Sequence, residues 1–478
     1  MNLNRVVLLL LFVVAIFSLI TMNSFHAWGD DFAMYLMHAE NIATGKPYAE
    51  TGFIYNDLAP TYAPQSYPPG FPLLLAIVQP FFGLNFLAYK IYILLFFLIF
   101  LWLVYVWLKD KVDGRYVVGI IIALGFNPFI WQFRDNILSD IPCAAAIFAA
   151  LILHEKAENT GLKMDWVILG FVVFIAFAIR STAIVLLLAI IIYHIKNIRK
   201  NGIYLIIILS EFILLNVICG ILFNYDSNYL SMIAATYGEH SNKEIFEIIK
   251  YYTGQYYAEF KDLFIYKYHN LFTNDILVLL GQILFLFGFV ISLIQKRFLI
   301  ALFFTGYIIL ILLWPGFQGL RYFLPIIPLY FFFTIIGISK IKIKSIRIGL
   351  EAILGLSILV TYISYYSNVN YKQDNYSLNG IQSRELIQFI TDEIPANSNV
   401  MAAKPRALCL FADINGMVFP DPENKDSIFT CLQINKIQYL VVNAYSSYPS
   451  YATKLIAQSP AMFTQLFLNK EWAVYKIN

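Results

Sequence analysis

Charged residues are scarce in this chain of 478 residues, because Asp, Glu, Lys and Arg together make up only 13% of it. A soluble globular domain carries about 25%. Hydrophobic residues account for 60% of the chain and aromatic residues for 17%, and the mean hydropathy is +0.68. This composition excludes an ordinary soluble protein and predicts a polytopic membrane protein.

Cysteine is also rare, and four residues are too few for a disulfide framework. Cys143 and Cys219 fall in apolar runs, whereas Cys409 and Cys431 lie in the C-terminal tail and can pair only in an oxidising compartment. The first apolar run, residues 6–20, lacks a small-residue cleavage site after it, which favours a retained span over a cleaved signal peptide. No nucleotide-binding motif is visible, and nothing indicates a nucleic-acid partner.

Eleven apolar runs approach the roughly 20 residues that a helix needs to cross a bilayer. They are residues 6–22, 88–108, 116–131, 141–154, 166–179, 183–195, 203–223, 276–294, 298–314, 322–338 and 348–365. Residues 69–83 have prolines near both ends and only about ten uninterrupted apolar residues, too few for a full span. We expect an interfacial or re-entrant helix there.

The placement of basic residues supports a non-crossing segment 69–83. If it does not cross, all basic clusters between the spans fall on one side, which the positive-inside rule identifies as the cytoplasm. These clusters are Arg5; Lys109, Lys111 and Arg115; Lys156 and Lys163; Lys196, Arg199 and Lys200; Lys296 and Arg297; and Lys340, Lys342, Lys344 and Arg347. Loops 23–87, 132–140 and 224–275 and the tail after about residue 367 are then predicted to face outwards.

The tail is predicted to be a small α/β domain. Residues 384–394 have helical periodicity, residues 437–445 form a strand-like run, and residues 463–478 resemble a pair of closing strands. The polar stretch 368–380 marks the boundary. We therefore expect a transmembrane domain over 1–366 and an outer α/β domain over 367–478.

The stretch "DDFAMYLMHA", residues 30–39, follows the first span and offers candidate catalytic groups. In a helix, Asp31, Tyr35 and His38 share one face, and Gly45 is a plausible C-cap. An aspartate at such a helix start can serve as a general base. The simpler alternative, favoured by spacing alone, is that Asp30 caps the helix and Asp31 is a first-turn acid.

Further candidates lie at the predicted outer ends of later spans. Asp140 directly precedes a span, where capping is an adequate explanation. Arg134 and Arg180 are cations in or beside apolar sequence, which is costly and indicates function. Arg321 carries a guanidinium that forks well onto phosphate, and the alternative is an interface anchor together with Tyr322.

These groups suit one reaction in combination. Acids deprotonate a hydroxyl, arginines hold a lipid phosphate, and the tyrosines of residues 251–260 offer rings that stack on sugars. The combination indicates glycosyl transfer from a lipid-linked sugar phosphate.

The layout resembles the GT-C superfamily of membrane glycosyltransferases, especially the bacterial family 39-type branch with protein O-mannosyltransferases and the lipid A aminoarabinose transferase. In that family an acidic helix start is followed four residues later by a tyrosine. A proline pair, a second acid and an Arg-Tyr-x-x-Pro motif come next. The matching residues are Asp31 and Tyr35; Pro68, Pro69, Gly70 and Phe71; Asp140; and Arg321, Tyr322 and Pro325. The similarity covers most of residues 1–340.

The resemblance implies an all-α polytopic membrane bundle of about eleven helices with a small periplasmic α/β domain. The implied reaction transfers a sugar, with inversion, from a polyprenyl-phosphate donor to a hydroxyl of a glycan, lipid A or a protein. It would occur at the periplasmic face of the bacterial inner membrane. Asp31, or Asp30, is the expected base. The expected substrate-binding residues are Tyr35, His38, Tyr67, Arg134, Asp140, Arg180, Arg321 and Tyr322.

One departure concerns the residues before the proline pair. The aminoarabinose branch has an acid and a lysine there, which serve metal and phosphate, whereas this chain has Ser66 and Tyr67. We therefore assign no metal ligand and no certain cofactor, leave a divalent metal open, and expect Arg134, Arg180 or Arg321 to bind the phosphate. The alternatives are an O-antigen ligase or polymerase, and a transporter or lipid flippase, which would predict inverted repeats and acids within spans.

Overall fold

The computed structural model describes residues 2–23, 25–60, 62, 64–227, 229–238, 242–262, 272–369, 377–421, 423–443 and 451–478. The chain divides into two compact units. The first comprises Met1–Met22, Ala88–Ile218 and Ser241–Tyr371, and the second Asn23–Leu87, Cys219–His240 and Lys372–Asn478. By these contacts the first long loop belongs with the C-terminal tail. The predicted boundary at residue 366 therefore does not coincide with the boundaries of the compact units. The membrane side on which each predicted domain lies stays a prediction.

Helices dominate the chain. In chain order they are α1 (Leu3–Ile20), α2 (Asp31–Thr44), α3 (Gly70–Ala76), α4 (Gln79–Phe82), α5 (Phe86–Leu108), α6 (Gly114–Gly125), α7 (Pro128–Arg134), α8 (Asp140–Thr160), α9 (Lys163–Ile179), α10 (Ile184–Ile195), α11 (Ile198–Phe223), α12 (Tyr229–Tyr237), α13 (Asn242–Asp262), α14 (Phe272–Ile294), α15 (Phe298–Leu313), α16 (Ile327–Ser339), α17 (Lys344–Asn368), α18 (Ile381–Glu393), α19 (Pro405–Phe411), α20 (Lys425–Ile434) and α21 (Tyr451–Gln458). Short 3₁₀ helices cover Ser181–Ala183, Gly319–Phe323 and Pro460–Met462.

Helices lie at all eleven predicted span positions, and the protein is a multi-pass membrane protein. Among the described residues, five helices are long and apolar enough to cross a bilayer by themselves. A sixth span results if α6 and α7, which meet at 58°, are one broken helix. Pro128 opens α7 and accounts for the break, because proline interrupts the helical hydrogen-bond ladder. The count of eleven spans stays a prediction.

The segment 69–83 is too short to cross as one helix, as predicted. It forms α3, of seven residues, and α4, of four residues. Pro69 occupies the N-cap position of α3, where a missing N–H costs nothing.

In the first unit, α14 and α16 pack backbone to backbone. A Cβ atom at Gly288 would collide with the backbone of Phe333, and one at Gly337 would collide with the backbone of Leu284. Small residues at such crossings let membrane helices approach closely. Larger side chains at either glycine would force the pair apart.

The second unit contains a six-stranded sheet. Its strands are β1 (Phe53–Ile54), β2 (Asn399–Ala402), β3 (Asn415–Met417), β4 (Tyr439–Asn443), β5 (Phe463–Leu468) and β6 (Trp472–Ile477). Their order is β1-β3-β2-β4-β6-β5. The pairs β1–β3, β3–β2 and β2–β4 are parallel, whereas β4–β6 and β6–β5 are antiparallel. The edge strand β1 comes from the first loop. Gly52, at φ 72°, precedes it and leaves no room for a Cβ beside the carbonyl of Ile414.

Two apolar layers cover the sheet, one on each face. Successive side chains of β2 and β4 point to opposite faces, and apolar residues occur on both. Val400 and Val441 pack with α18 and α19, whereas Met401 and Leu440 pack with α20 and α21. The predicted helix 384–394 falls within α18, the predicted closing strands are β5 and β6, and the strand-like run contains β4. Residues 444–445 of that run lie outside the described residues. Cys409 and Cys431 are free thiols.

Candidate active site

The opening acids stand at the start of α2, and the capping explanation for Asp30 fails. Asp30 is the N-cap residue, yet its side chain makes no capping hydrogen bond. Its Oδ1 instead accepts a hydrogen bond from the backbone N–H of Ala407, at 3.4 Å. Gly45 ends α2 in the left-handed conformation, as predicted.

Both acids contact a buried arginine from the C-terminal tail. Arg406 Nε lies 3.7 Å from Asp30 Oδ2, and Arg406 Nη2 lies 3.6 Å from Asp31 Oδ1. Arg406 Nη1 donates to the Tyr67 hydroxyl at 3.1 Å, and that hydroxyl donates to Asp31 Oδ1 at 2.6 Å. We call Asp30, Asp31, Tyr67 and Arg406 the Asp31 cluster. All four residues belong to the second unit.

The predicted face of α2 converges on Tyr67. Besides the Asp31 contact, the ring of Tyr35 lies 4.5 Å from the ring of Tyr67 between centroids. His38 Nε2 accepts from the Tyr67 N–H at 3.4 Å, while His38 Nδ1 donates to the carbonyl of Tyr48 at 2.8 Å. The Tyr48 hydroxyl donates to the Tyr67 carbonyl at 2.7 Å. Spacings of four and seven residues thus place three side chains around one tyrosine.

Burial separates the roles of these residues. Tyr35 and His38 are 3% and 0% exposed, and their described contacts are with protein groups. Their assignment to substrate binding stays a prediction, while their observed contacts position Tyr67. The Asp30 side chain is 7% exposed and that of Asp31 26%. Of the two acids, Asp31 is therefore the one that a substrate can reach.

The electrostatics of the cluster follow from its burial. Removal from water raises the pKa of the Asp30 carboxyl, although Arg406 opposes the shift. Burial also lowers the pKa of His38 to about 4, so its ring is neutral at pH 7. Burial disfavours the Arg406 guanidinium, but Tyr67, Asp30 and Asp31 outweigh that effect and raise its pKa.

A divalent metal does not fit the Asp31 cluster. Arg406 already provides positive charge within 4 Å of both carboxylates. A metal ion there would be repelled by the guanidinium at the same short distance. Ser66, where the related branch implies a metal or phosphate group, is fully buried and exchanges hydrogen bonds of 2.9 Å with the backbone of Asp226.

A second cluster lies in the first unit around Asp140, the first residue of α8. Arg321 forms a two-point contact with it, from Nε to Oδ1 at 3.3 Å and from Nη2 to Oδ2 at 3.1 Å. Arg180 Nη1 reaches Asp140 Oδ1 at 3.1 Å. We call these three residues the Asp140 cluster. Two guanidinium groups and one carboxylate leave it with a net charge of +1, which suits an anion.

Neighbouring residues hold the two arginines in place. The Tyr322 ring lies 4.8 Å from the Arg180 guanidinium, a cation–π distance. The turn before Arg321 is fixed by α13, because Tyr252 and Tyr256 accept hydrogen bonds of 3.1 Å from the N–H groups of Gly316 and Gln318. Two tyrosines of the predicted sugar-stacking segment 251–260 therefore have an observed role in supporting this turn.

Arg134 has different surroundings. It is 1% exposed, donates to the Thr21 hydroxyl at 3.4 Å and lies 5.6 Å from the Trp131 ring. Its described contacts do not include Asp140. Phosphate binding by Arg134 stays a prediction, and the Asp140 cluster is the better candidate.

Sequence reasoning missed Arg406. It follows "AAK" and a proline in the tail, 375 residues beyond Asp31 in the chain. The local pattern gives no sign of a site. The available signal was topological: Arg406 lies on α19, directly after the parallel strand β2, and the carboxyl ends of parallel strands commonly carry functional groups.

Comparisons with known proteins agree with the fold expected from the motifs. A family model described as dolichyl-phosphate-mannose-protein mannosyltransferase matches residues 66–219. No curated protein matches the sequence.

Solved structures give likenesses over most of the chain. ArnT from Cupriavidus metallidurans in the apo state has a TM-score of 0.58 at 11% identity, covering 98% of this chain and 97% of that one. The same protein bound to undecaprenyl phosphate has a TM-score of 0.56 at 10% identity, with the same coverage. The Archaeoglobus fulgidus oligosaccharyltransferase tethered with an acceptor peptide has a TM-score of 0.57 at 11% identity, covering 91% of this chain and 69% of that one. These likenesses show that the chain shares its fold with these two membrane proteins, as the resemblance to the GT-C superfamily predicted.

Proposed function

We propose that this GT-C chain transfers a sugar from a polyprenyl-phosphate donor to an acceptor hydroxyl, with Asp31 as the general base. The observation that carries the proposal is the Asp31 carboxylate, partly exposed and held by Tyr67 and Arg406 at the start of α2. Support also comes from ArnT, whose structure was solved with undecaprenyl phosphate, and from the oligosaccharyltransferase, solved with an acceptor peptide.

The reaction needs a base for the acceptor and a cation for the leaving group. The acceptor oxygen attacks the anomeric carbon from the face opposite the phosphate, and Asp31 takes the hydroxyl proton as the carbon–oxygen bond to the phosphate breaks. The electron pair of that bond leaves with the polyprenyl phosphate. The leaving group needs charge stabilisation rather than a proton, which an arginine supplies.

Purified protein given a radiolabelled polyprenyl-phosphate sugar and envelope acceptors tests the function. We expect labelled acceptor and free polyprenyl phosphate in equal amounts, and no transfer from a nucleotide sugar. Mass spectrometry of envelope glycans in a deletion strain identifies the acceptor. Donor that remains intact with every envelope fraction would contradict glycosyl transfer.

The arginine contacts lead to a prediction for donor binding. Arg321→Lys keeps the positive charge but loses the two-point contact with Asp140. Hydrogen bonds to charged groups contribute about 1.5–3 kcal/mol, so we expect donor affinity to fall roughly tenfold or more. The measurement is the donor Kd and KM in detergent.

Arg347→Lys is the matched control, since Arg347 also pairs with a carboxylate of the first unit, Glu351 at 3.9 Å. It should leave the donor Kd unchanged. Equal donor affinity in wild type and Arg321→Lys would assign Arg321 to anchoring, and Arg180 or Arg134 would have to bind the phosphate.

The positions of the basic clusters lead to a prediction for membrane topology. We expect the Asp31 cluster to lie on the periplasmic side of a bacterial inner membrane. Tyr62 is 62% exposed, and Lys470 and Lys342 are also exposed. In intact cells, a membrane-impermeant maleimide should label Tyr62→Cys and Lys470→Cys, and label Lys342→Cys only after permeabilisation. The unsubstituted chain gives the background. If only Lys342→Cys were labelled in intact cells, the protein would have the opposite orientation in the membrane.

A further inference from the structure

The first unit contains a group of metal-ligating side chains that the proposed reaction does not use. His154 and Glu158 lie on α8, and His194 lies near the end of α10. His154 is 14 residues beyond Asp140 on the same helix, about 21 Å along its axis at 1.5 Å per residue. The group is therefore separate from the Asp140 cluster.

We infer that His154, Glu158 and His194 form a binding site for a divalent transition metal of the zinc class. One ligand atom from each of the three residues lies within 4.8 Å of the others. Two imidazoles and one carboxylate are a common ligand set for zinc, which leaves a fourth position for water or another ligand. This site is independent of the proposed glycosyl transfer.

The two imidazoles need only a small adjustment to share an ion. The Nε2 atoms of His154 and His194 lie 2.9 Å apart. Two nitrogens on one tetrahedral zinc ion, each about 2.0–2.1 Å from it, are roughly 3.4 Å apart. The imidazoles must therefore separate by about half an ångström. Glu158 is one helical turn after His154, so the two side chains share a helix face. Its Oε2 lies 3.8 Å from His154 Nδ1, the ring nitrogen on the other side from Nε2, so the carboxylate must rotate to join an ion held by the two Nε2 atoms.

A neighbouring amide orients one of the ligands. Asn201 Nδ2 lies 2.9 Å from Nδ1 of His194. Ligating histidines generally donate their other ring N–H to an oxygen, which fixes the ring. Rotation of the Asn201 amide places its carbonyl oxygen at that position, and the amide oxygen and nitrogen are interchangeable in shape.

Access also fits an open metal site. Glu158, His194 and Asn201 line a cavity of about 810 Å³, which provides an entry path and room for the fourth ligand. Lys196 and Lys200 line the same cavity. Their positive charge favours an anion or hydroxide as the fourth ligand. Without an ion, the two imidazoles share a hydrogen bond between their Nε2 atoms.

Co²⁺ binding to the full-length protein tests the site. The protein is purified in detergent with a streptavidin-binding tag instead of a histidine tag, and is then treated with a chelator. We expect one equivalent of Co²⁺ with the visible absorption of a tetrahedral site, displaced by Zn²⁺. His154→Gln and His194→Gln should each lose this equivalent, and Asn201→Ala should weaken it by about 10–100-fold.

Glu155→Gln is the matched control for Glu158→Gln. Glu155 lies on the same helix but contacts Lys111 and Trp107. Glu155→Gln should bind Co²⁺ like wild type. Zn²⁺ should raise the melting temperature of wild type and of Glu155→Gln, but not that of His154→Gln. Equal Co²⁺ binding by wild type and by both histidine variants, whether one equivalent or none, would overturn the site and leave a hydrogen-bonded histidine pair.

Discussion

Asp31→Asn is expected to lower turnover by about 10²–10⁴-fold, the usual contribution of a general base. Asparagine keeps the size of the side chain and still accepts the hydrogen bond from Tyr67, but it cannot take the acceptor proton. Donor affinity and melting temperature should change little, because Asp30 continues to pair with Arg406. The measurement is single-turnover transfer from a lipid-linked donor in purified protein.

Asp30→Asn is the comparison that separates the two acids. Asp30 is buried, so we expect this variant to alter stability more than the chemical step. The rate should remain within a few-fold of wild type if the protein is assayed below its melting temperature. Near-normal turnover in both variants would show that neither acid is the base, and the proposed mechanism would be wrong.

Arg406→Met is expected to destabilise the second unit by about 3–5 kcal/mol, the usual cost of breaking a buried ion pair from one side. Methionine has a similar apolar stem, so little packing is lost. The dominant effect is the charge of Asp30, which is left in a buried position without its guanidinium. Thermal unfolding in detergent, followed by tryptophan fluorescence, measures the loss.

Two further variants make this test specific. Arg384→Met changes an exposed arginine on α18 of the same unit and should leave stability within about 0.5 kcal/mol of wild type. Arg406→Met combined with Asp30→Asn removes the unpaired charge and should recover part of the loss. A double variant as unstable as the sum of the two single variants would mean that Asp30 and Arg406 are not energetically coupled.

Local reasoning was strongest where one helix carries the information. The sequence placed Asp31, Tyr35 and His38 on one face of α2, and the structure shows that all three contact Tyr67. Helical spacing alone determines which side chains share a face. It does not determine what that face contacts, and the partner was identified only by the fold.

The capping explanations show the opposite case. Asp30 and Asp140 both occur at helix starts, where capping was an adequate explanation for each. Asp30 makes no capping hydrogen bond with its side chain, and Asp140 instead contacts Arg180 and Arg321. Residue type and position predict a helix start well. They cannot distinguish a cap from an ion pair, because the partner of an ion pair lies far away in the chain.

The sequence by itself indicated the membrane class, helices at the eleven predicted span positions, the short segment 69–83 and, as separate candidates, the three residues of the Asp140 cluster. Hydropathy, proline placement and the cost of a charge in lipid act locally, so they can be recognised in short windows. Only the tertiary structure decided that β1 of the first loop joins the sheet of the tail and that Arg406 pairs with Asp30 and Asp31. Strand pairing and buried ion pairs join segments more than 350 residues apart. Their energies depend on which surfaces the folded chain brings together, and no local pattern contains that information.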